Sequence, residues 1–205
     1  MNIYCEIIIS MFIGYIIGSI PFALVIGKIF YKTDVRKFGS GNLGGSNTGR
    51  VLGKKAGLLV MILDVLKVVF ASFLCSFFKH SEITIILAGF MTTIGHCYPI
   101  FAHFKGGKAV ATMFGFLLSH VLLVAHNPFV FFLPLILFLI VLYIGKVVSI
   151  SSICSAIFST LYIFFKVDKS IMFIATLLVT CLLIYRHRSN IIKFLKGEEN
   201  KISWM

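Results

Sequence analysis

The sequence predicts an all-α integral membrane protein with about seven transmembrane helices, some of them short or broken. The mean hydropathy of the 205 residues is +1.03, and 59% of them are hydrophobic against 13% charged. Apolar segments that approach the ~20 residues of a membrane-spanning helix recur along the chain. Basic residues flank these segments, so the net charge of +12 indicates membrane topology and anionic lipid or substrate rather than nucleic acid. We expect one polytopic membrane domain over residues 1–205.

Seven apolar segments are the predicted spans. They lie near residues 5–27, 57–78, 83–101, 109–125, 129–145, 147–165 and 170–185. Several are shorter than ~20 residues, so five full spans with two shorter ones remains an alternative. Pro21 predicts a kink in the first helix and Pro99 a break in the third. Asn127-Pro128 and residues 166–169 predict tight turns.

The distribution of basic residues predicts that the N-terminus lies outside and the C-terminus in the cytoplasm. With seven spans in this orientation, Lys79, Lys166 and Lys169 lie outside and the other 16 of the 19 Lys and Arg residues lie inside. Every polar, glycine-rich stretch then faces the cytoplasm.

The first polar stretch is the run at residues 39–50, which ends in Arg50. Its five glycines allow the backbone to approach a ligand closely, and exposed N–H groups in such turns bind anions. The guanidinium of Arg50 has a planar fork of donors that suits phosphate or carboxylate. A flexible connector is the alternative interpretation of this run.

The second stretch is Lys105-Gly106-Gly107-Lys108, which precedes a helical apolar run. Two lysines, two glycines and a helix N-terminus directed at the loop are the physical elements of a phosphate cradle. Thr112 lies one turn into that helix and offers a hydroxyl. Basic residues at the end of a span are the alternative.

Two further stretches lie near span ends. Ser151 and Ser152 follow a turn, where capping of the next helix is the simpler role. His187 and Asn190 are spaced i,i+3 and share a helix face. For the neighbouring Arg186, contact with anionic headgroups is favoured.

Asp64 and Lys67 have the same i,i+3 spacing, which favours a structural ion pair.

Together these motifs resemble the bacterial acyl-phosphate:glycerol-3-phosphate acyltransferases, inner-membrane enzymes of phospholipid synthesis. The resemblance runs in order from residue 18 to about residue 193 and rests on the following motifs: Gly18-Ser19-Ile20-Pro21-Phe22, Arg36-Lys37, Gly39-Ser40-Gly41-Asn42 through Arg50, Leu52-Gly53-Lys54-Lys55-Ala56-Gly57, Leu63-Asp64-Val65-Leu66-Lys67, Gly95-His96, Lys105-Gly106-Gly107-Lys108, Val110-Ala111-Thr112, Tyr185-Arg186-His187-Arg188 and Asn190-Ile191. Two positions depart from the family pattern. Ala109 replaces a usual glycine, and Ser189 stands where a glutamate is usual.

The resemblance implies transfer of a fatty acyl group from acyl phosphate to the 1-hydroxyl of glycerol 3-phosphate, giving lysophosphatidic acid and phosphate. It implies a multi-pass protein of the bacterial inner membrane with a cytoplasmic site and no cofactor or metal. The expected partners are the two substrates and membrane lipids. The implied catalytic residues are Ser40, Arg50, His187 and Asn190, and the implied substrate-binding residues are Asn42, Lys105, Gly106, Gly107, Lys108, Thr112, Ser151, Ser152 and His96.

Two questions stay open at this point. The general base is His96, His187 or an oxygen of a substrate phosphate. A small organophosphate or anion transporter is the alternative function, although the chain lacks the internal repeat that many transporters have.

Overall fold

The computed structural model describes residues 2–167 and 171–202, and the regular structure in these ranges is helical. The helices are α1 Ile3–Gly18, α2 Phe22–Tyr31, α3 Gly45–Leu52, α4 Lys54–Cys75, α5 Ser81–Cys97, α6 Val110–His120, α7 Phe129–Gly145, α8 Val148–Lys166, α9 Ile171–Arg186 and α10 Arg188–Leu195. A π-helical turn, Val121–Ala125, extends α6. Short 3₁₀ turns lie at Val35–Lys37 and Ile100–Ala102.

Each of the seven predicted apolar segments is helical in the described residues. Four units are long and apolar enough to cross a membrane: α1 with α2, α4, α5 with the 3₁₀ turn behind it, and α8. A fifth is the pair of α9 and α10, which bends by 54°. The helix over Val110–Ala125 and α7 are shorter. The helical character is therefore confirmed, whereas the count of seven crossings and the orientation stay predictions.

The prolines interrupt the helices where the sequence predicted breaks. α1 ends at Gly18 and α2 begins after Pro21, while α5 ends at Cys97, just before Pro99. The side chain of Asn127 accepts a hydrogen bond from the N–H of Phe129 at 3.1 Å and so forms the turn before α7. The turn predicted at 166–169 includes residues 168 and 169, which lie outside the described residues, as does Lys169 of the charge count.

Small residues bring α1 and α5 into close contact. A Cβ atom on Gly18 would lie 2.7 Å from the Cα atom of Thr92, and one on Gly95 would lie 2.9 Å from the backbone nitrogen of Ser19. Such approach of two backbones is typical of helices packed within membranes, where dispersion contacts replace the hydrophobic effect between helices. This packing fixes α5, whose last turn carries His96.

The outer faces of the helices expose large apolar side chains. Phe12, Phe70, Ile144 and Phe165 are each more than half exposed. A surface of this kind is typical of contact with lipid tails rather than water. A group of polar and charged residues lies where the loops before α3 and α6 meet α10.

Candidate active site

One buried side chain, Asn47, shapes the polar run at residues 39–50. Its amide oxygen accepts a hydrogen bond from the N–H of Ser40 at 2.8 Å, and its nitrogen donates to the carbonyls of Val35 at 3.0 Å and Phe38 at 3.3 Å. These bonds tie the N–H of Ser40 and the carbonyls of Val35 and Phe38 to one buried side chain. The first part of the run is therefore an ordered loop and the rest is the start of α3, which disfavours the flexible-connector interpretation.

Asp34 and Arg36 close the start of this loop. The carboxylate of Asp34 accepts hydrogen bonds from Arg36 Nε at 3.0 Å and Nη2 at 2.7 Å. Because these donors stabilise the ionised form, they lower the pKa of Asp34 to about 2. The guanidinium of Arg36 is thus committed to its neighbour.

Arg50 lies in the last turn of α3, which packs closely on α4. A Cβ atom on Gly57 would lie 2.6 Å from the Cα atom of Gly49, so only glycine permits this approach. The side chain of Arg50 is exposed and makes no hydrogen bond to another described residue. Its donors are therefore available to an anion.

The loop before α6 is held from three sides. The N–H of Gly107 donates to the carbonyl of His96 at 3.0 Å. Arg186 donates from Nε to the carbonyl of Gly107 at 3.0 Å and from Nη2 to that of Gly106 at 2.9 Å, and Asn42 donates to the same Gly106 carbonyl at 3.2 Å. Arg186 is therefore a clamp on this loop rather than the headgroup contact that the sequence favoured.

A buried charged cluster supports the loop from below. Asp64 and Lys67 form the predicted ion pair at 2.7 Å, with both side chains 2% exposed. Lys67 also lies 3.1 Å from Nδ1 of His96 and donates to the carbonyl of Ile20 at 3.2 Å. The same Nδ1 lies 3.4 Å from the carboxylate of Asp64, so both members of the ion pair contact one ring nitrogen of His96. The cluster thus fixes the imidazole beneath Gly107.

A chain of hydrogen bonds links the loop to the end of the protein. Lys108 Nζ donates to the amide oxygen of Asn190, whose nitrogen donates to Glu199 Oε1 at 2.6 Å. The hydroxyl of Ser149 donates to the same carboxylate oxygen at 3.1 Å. Burial lowers the pKa of Lys108, and the charge of Glu199 opposes that shift.

His187 follows the last residue of α9 and is buried. Its Nδ1 contacts the carbonyl of Leu183 at 2.9 Å, so Nδ1 carries the proton and Nε2 is the acceptor. Burial lowers the pKa of His187 to about 4. The imidazole is therefore neutral at pH 7.

One cavity of about 290 Å³ brings these elements together. Seven of the predicted site residues line it: Ser40, Asn42, Arg50, His96, Lys108, His187 and Asn190. Apolar side chains line the same cavity, namely Met61, Val65, Val110, Phe114, Leu135 and Phe138. A molecule with an anionic head and an apolar tail fits such a lining.

The other predicted site residues do not line this cavity. Lys105 is exposed, and Gly106 and Gly107 lie behind Lys108 with their carbonyls already bonded. Thr112 is fully buried in α6. The remaining two are Ser151 and Ser152, whose hydroxyls donate to carbonyls one turn earlier in α8 at 2.8 and 2.7 Å.

Sequence reasoning missed several residues that line the cavity. These are Ser46, Asn47, Ser149, Lys193, Glu199 and Asn200. The i,i+3 spacing that selected His187 and Asn190 also extends to Lys193, so that residue carried a usable signal. Ser149 lies in the first turn of α8 and lines the cavity, whereas Ser151 and Ser152 lie two and three residues further along the helix and do not.

Both departures from the family pattern fall at this site. Ala109 has φ +65°, in the left-handed region that favours glycine, and its methyl group is fully buried. Ser189 is exposed, and the Asn190 side chain next to it in the sequence donates to the carboxylate of Glu199.

Comparison with known proteins identifies the family. The sequence model described as Glycerol-3-phosphate acyltransferase matches residues 8–197. The chain belongs to the glycerol-3-phosphate acyltransferase family. Among curated family members, it is 45% identical to a glycerol-3-phosphate acyltransferase of Listeria welshimeri over 98% of both chains. It is 43% identical to that of Bacillus subtilis over 97% of this chain and 99% of the relative.

Two solved family structures have the same fold. Both are crystal structures of PlsY (YgiH), an integral membrane glycerol 3-phosphate acyltransferase. The glycerol 3-phosphate form superposes with a TM-score of 0.85 at 33% identity over 96% of both chains. The lysophosphatidic acid form gives 0.83 at 32% identity over 96% of this chain and 95% of the other. These matches confirm an integral membrane acyltransferase and disfavour the transporter alternative.

Proposed function

We propose that this acyltransferase takes its acyl group from acyl phosphate and transfers it to the 1-hydroxyl of glycerol 3-phosphate, in bacterial phospholipid synthesis. The observation that carries the proposal is a cavity in which cationic and amide side chains meet apolar ones. The family relationship and the solved glycerol 3-phosphate form of a relative support glycerol 3-phosphate as acceptor.

Arg50, Ser40 and Lys193 bind the phosphate of the acceptor. Arg50 offers paired donors that suit a phosphate dianion, and Lys193 lines the same cavity from α10. Asn190 and His187 complete the acceptor site, with the neutral imidazole of His187 accepting a hydrogen bond from the glycerol 1-hydroxyl at Nε2. The hydroxyl is thereby oriented for attack.

Lys108 binds the head of the acyl phosphate. Its ammonium group is fixed by the bonded loop behind it, and α6 begins two residues later. The apolar lining between α4, α6 and α7 receives the part of the acyl chain nearest the phosphate, including contacts with Phe114 and Phe138. Acyl phosphate is already an activated mixed anhydride, so the site supplies position and charge stabilisation.

The reaction is a direct displacement at the carbonyl carbon. The 1-hydroxyl oxygen forms a bond to this carbon, and the bond between the carbon and the phosphate oxygen breaks. The hydroxyl proton passes to an oxygen of the leaving phosphate, so the products are lysophosphatidic acid and inorganic phosphate. We assign the role of base to a phosphate oxygen because His96 is held at Nδ1 by the buried pair of Asp64 and Lys67, and His187, with a pKa of about 4, is a weak base.

The site faces the cytoplasm of the bacterial inner membrane in this proposal. The inside bias of 16 of the 19 basic residues supports that orientation, as does the location of Arg50, Lys108 and Lys193 on segments assigned to the same side.

The test uses purified protein with palmitoyl phosphate and glycerol 3-phosphate. We expect equal amounts of inorganic phosphate and lysophosphatidic acid, and no product from palmitoyl-CoA. Arg50→Ala should be nearly inactive, whereas the matched control Arg188→Ala should keep activity because its guanidinium stacks on Tyr185. Turnover of palmitoyl-CoA without acyl phosphate would overturn the proposal.

A further inference from the structure

The C-terminal segment, residues 197–202, lies against the cavity. Gly197 turns the chain with φ +73°, and the N–H of Glu198 donates to the carbonyl of Lys193 at 2.8 Å. Further along, the N–H of Ile202 donates to the carbonyl of Lys146 at 2.8 Å. The segment is therefore attached at both ends, and Glu199 lies between the attachments.

Glu199 brings a carboxylate to the polar part of the cavity, where the other charged and amide side chains include Arg50, Lys108 and Lys193. Among the described lining residues the other carboxylate is Asp64, which is buried and paired with Lys67. The Oε1 atom of Glu199 accepts hydrogen bonds from two neutral donors, the amide of Asn190 at 2.6 Å and the hydroxyl of Ser149 at 3.1 Å. A carboxylate held by neutral donors is a fixed structural partner rather than a mobile counter-ion.

The chemistry of its neighbours fixes how the Asn190 amide is turned. Lys108 can only donate, so it meets the amide oxygen, and an ionised Glu199 can only accept, so it meets the amide nitrogen. Each end of the carboxamide therefore has one partner of the required kind. Loss of Glu199 would leave the amide held at one end.

We propose that Glu199 is a positioning residue, which holds the Asn190 carboxamide in place between itself and Lys108 and so makes the C-terminal segment part of the active site. The inference rests on the proposed function, in which Asn190 and Lys108 bind the two substrates. An opposite role is also testable: if Glu199 occupied the place of a substrate phosphate, its removal would tighten binding.

The experiment compares variants of the full-length protein in the palmitoyl phosphate assay. Glu199→Ala should lower kcat/KM for glycerol 3-phosphate about tenfold, the expected loss for one charge-assisted hydrogen bond. Glu199→Gln should stay within about threefold of wild type, because its amide oxygen still accepts from Asn190. The matched control Glu198→Ala removes the same charge from an exposed neighbour and should leave kcat/KM unchanged.

A second background separates positioning from direct action. In Asn190→Ala, the further change Glu199→Ala should have less than about a twofold effect, because Glu199 acts through Asn190. Equilibrium binding of glycerol 3-phosphate is measured for wild type, Glu199→Ala, Asn190→Ala and the double variant. The comparison then does not depend on turnover.

Three results would overturn the inference: equal behaviour of Glu199→Ala and Glu198→Ala, a full loss on Glu199→Ala in the Asn190→Ala background, or tighter substrate binding by Glu199→Ala. Failure of the proposed function is distinguishable, because wild-type protein would then form no lysophosphatidic acid from acyl phosphate.

Discussion

The substitution Gly107→Ala tests the loop before α6 by adding one methyl group at its most crowded position. A Cβ atom at this position would collide with the imidazole of His96, which Asp64 and Lys67 hold from the other side. The loop cannot retreat without loss of the bond from Gly107 N–H to the His96 carbonyl, at 3.0 Å, and of the bonds from Arg186.

The magnitude follows from these contacts. Overpacking of a fixed site costs about 1–3 kcal/mol, and a lost hydrogen bond to a charged group costs about 1.5–3 kcal/mol. Because Lys108 is the next residue, we expect this cost to appear in binding of acyl phosphate. The predicted fall in its kcat/KM is about tenfold to a hundredfold, at ~1.4 kcal/mol for each factor of ten.

The assay is phosphate release from palmitoyl phosphate by purified protein, with thermal unfolding as a check of integrity. Gly145→Ala is the matched control, since a Cβ atom there meets nothing within 4 Å. In a His96→Ala background the collision is removed, so the cost of Gly107→Ala should fall below about threefold. Wild-type kinetics for Gly107→Ala, or an undiminished cost in that background, would show that the contact with His96 does not position Lys108.

Three further predictions concern charge and topology. Arg50→Lys should keep expression but lower kcat/KM for glycerol 3-phosphate by about tenfold, because lysine lacks the bidentate fork; unchanged kinetics would leave Arg50 as a topology determinant. The pKa of His187 is about 4, so its imidazole stays neutral above about pH 5.5. The pH profiles of kcat/KM for wild type and His187→Asn should therefore show the same inflections between about pH 5.5 and pH 8. An inflection lost only in the variant would mean that His187 titrates in this range. Cysteines introduced near residue 80 should be labelled from outside intact cells and those near residue 197 should not; the reverse pattern would overturn the orientation.

Much of the fold was predictable because segments that cross a bilayer must be apolar and must pair their own backbone hydrogen-bonding groups. Apolar segments and prolines located the helices, and Pro21 and Pro99 coincide with real interruptions. The number of crossings was harder to predict, because α7 and the helix over Val110–Ala125 are shorter than a full span. Segment length alone does not tell whether such a helix crosses.

Site residues were predictable where the chemistry of the side chain, such as a cation suited to phosphate, itself suggests a role. Charge and spacing drew attention to Arg50, Lys108 and Asn190, the family resemblance implied their roles, and all three line one cavity. Arg186 and Glu199 were not, because their roles depend on contacts with residues 79 and 9 positions away, respectively. A sequence pattern carries no record of such pairings.

In the proposed reaction, both substrates occupy this cavity together and the acyl group passes directly between them. Initial rates measured over a grid of palmitoyl phosphate and glycerol 3-phosphate concentrations test it most directly. Direct transfer predicts intersecting double-reciprocal lines and no phosphate release before glycerol 3-phosphate is added. Parallel lines, with a burst of phosphate from palmitoyl phosphate alone, would indicate an acyl-enzyme intermediate and contradict the claim.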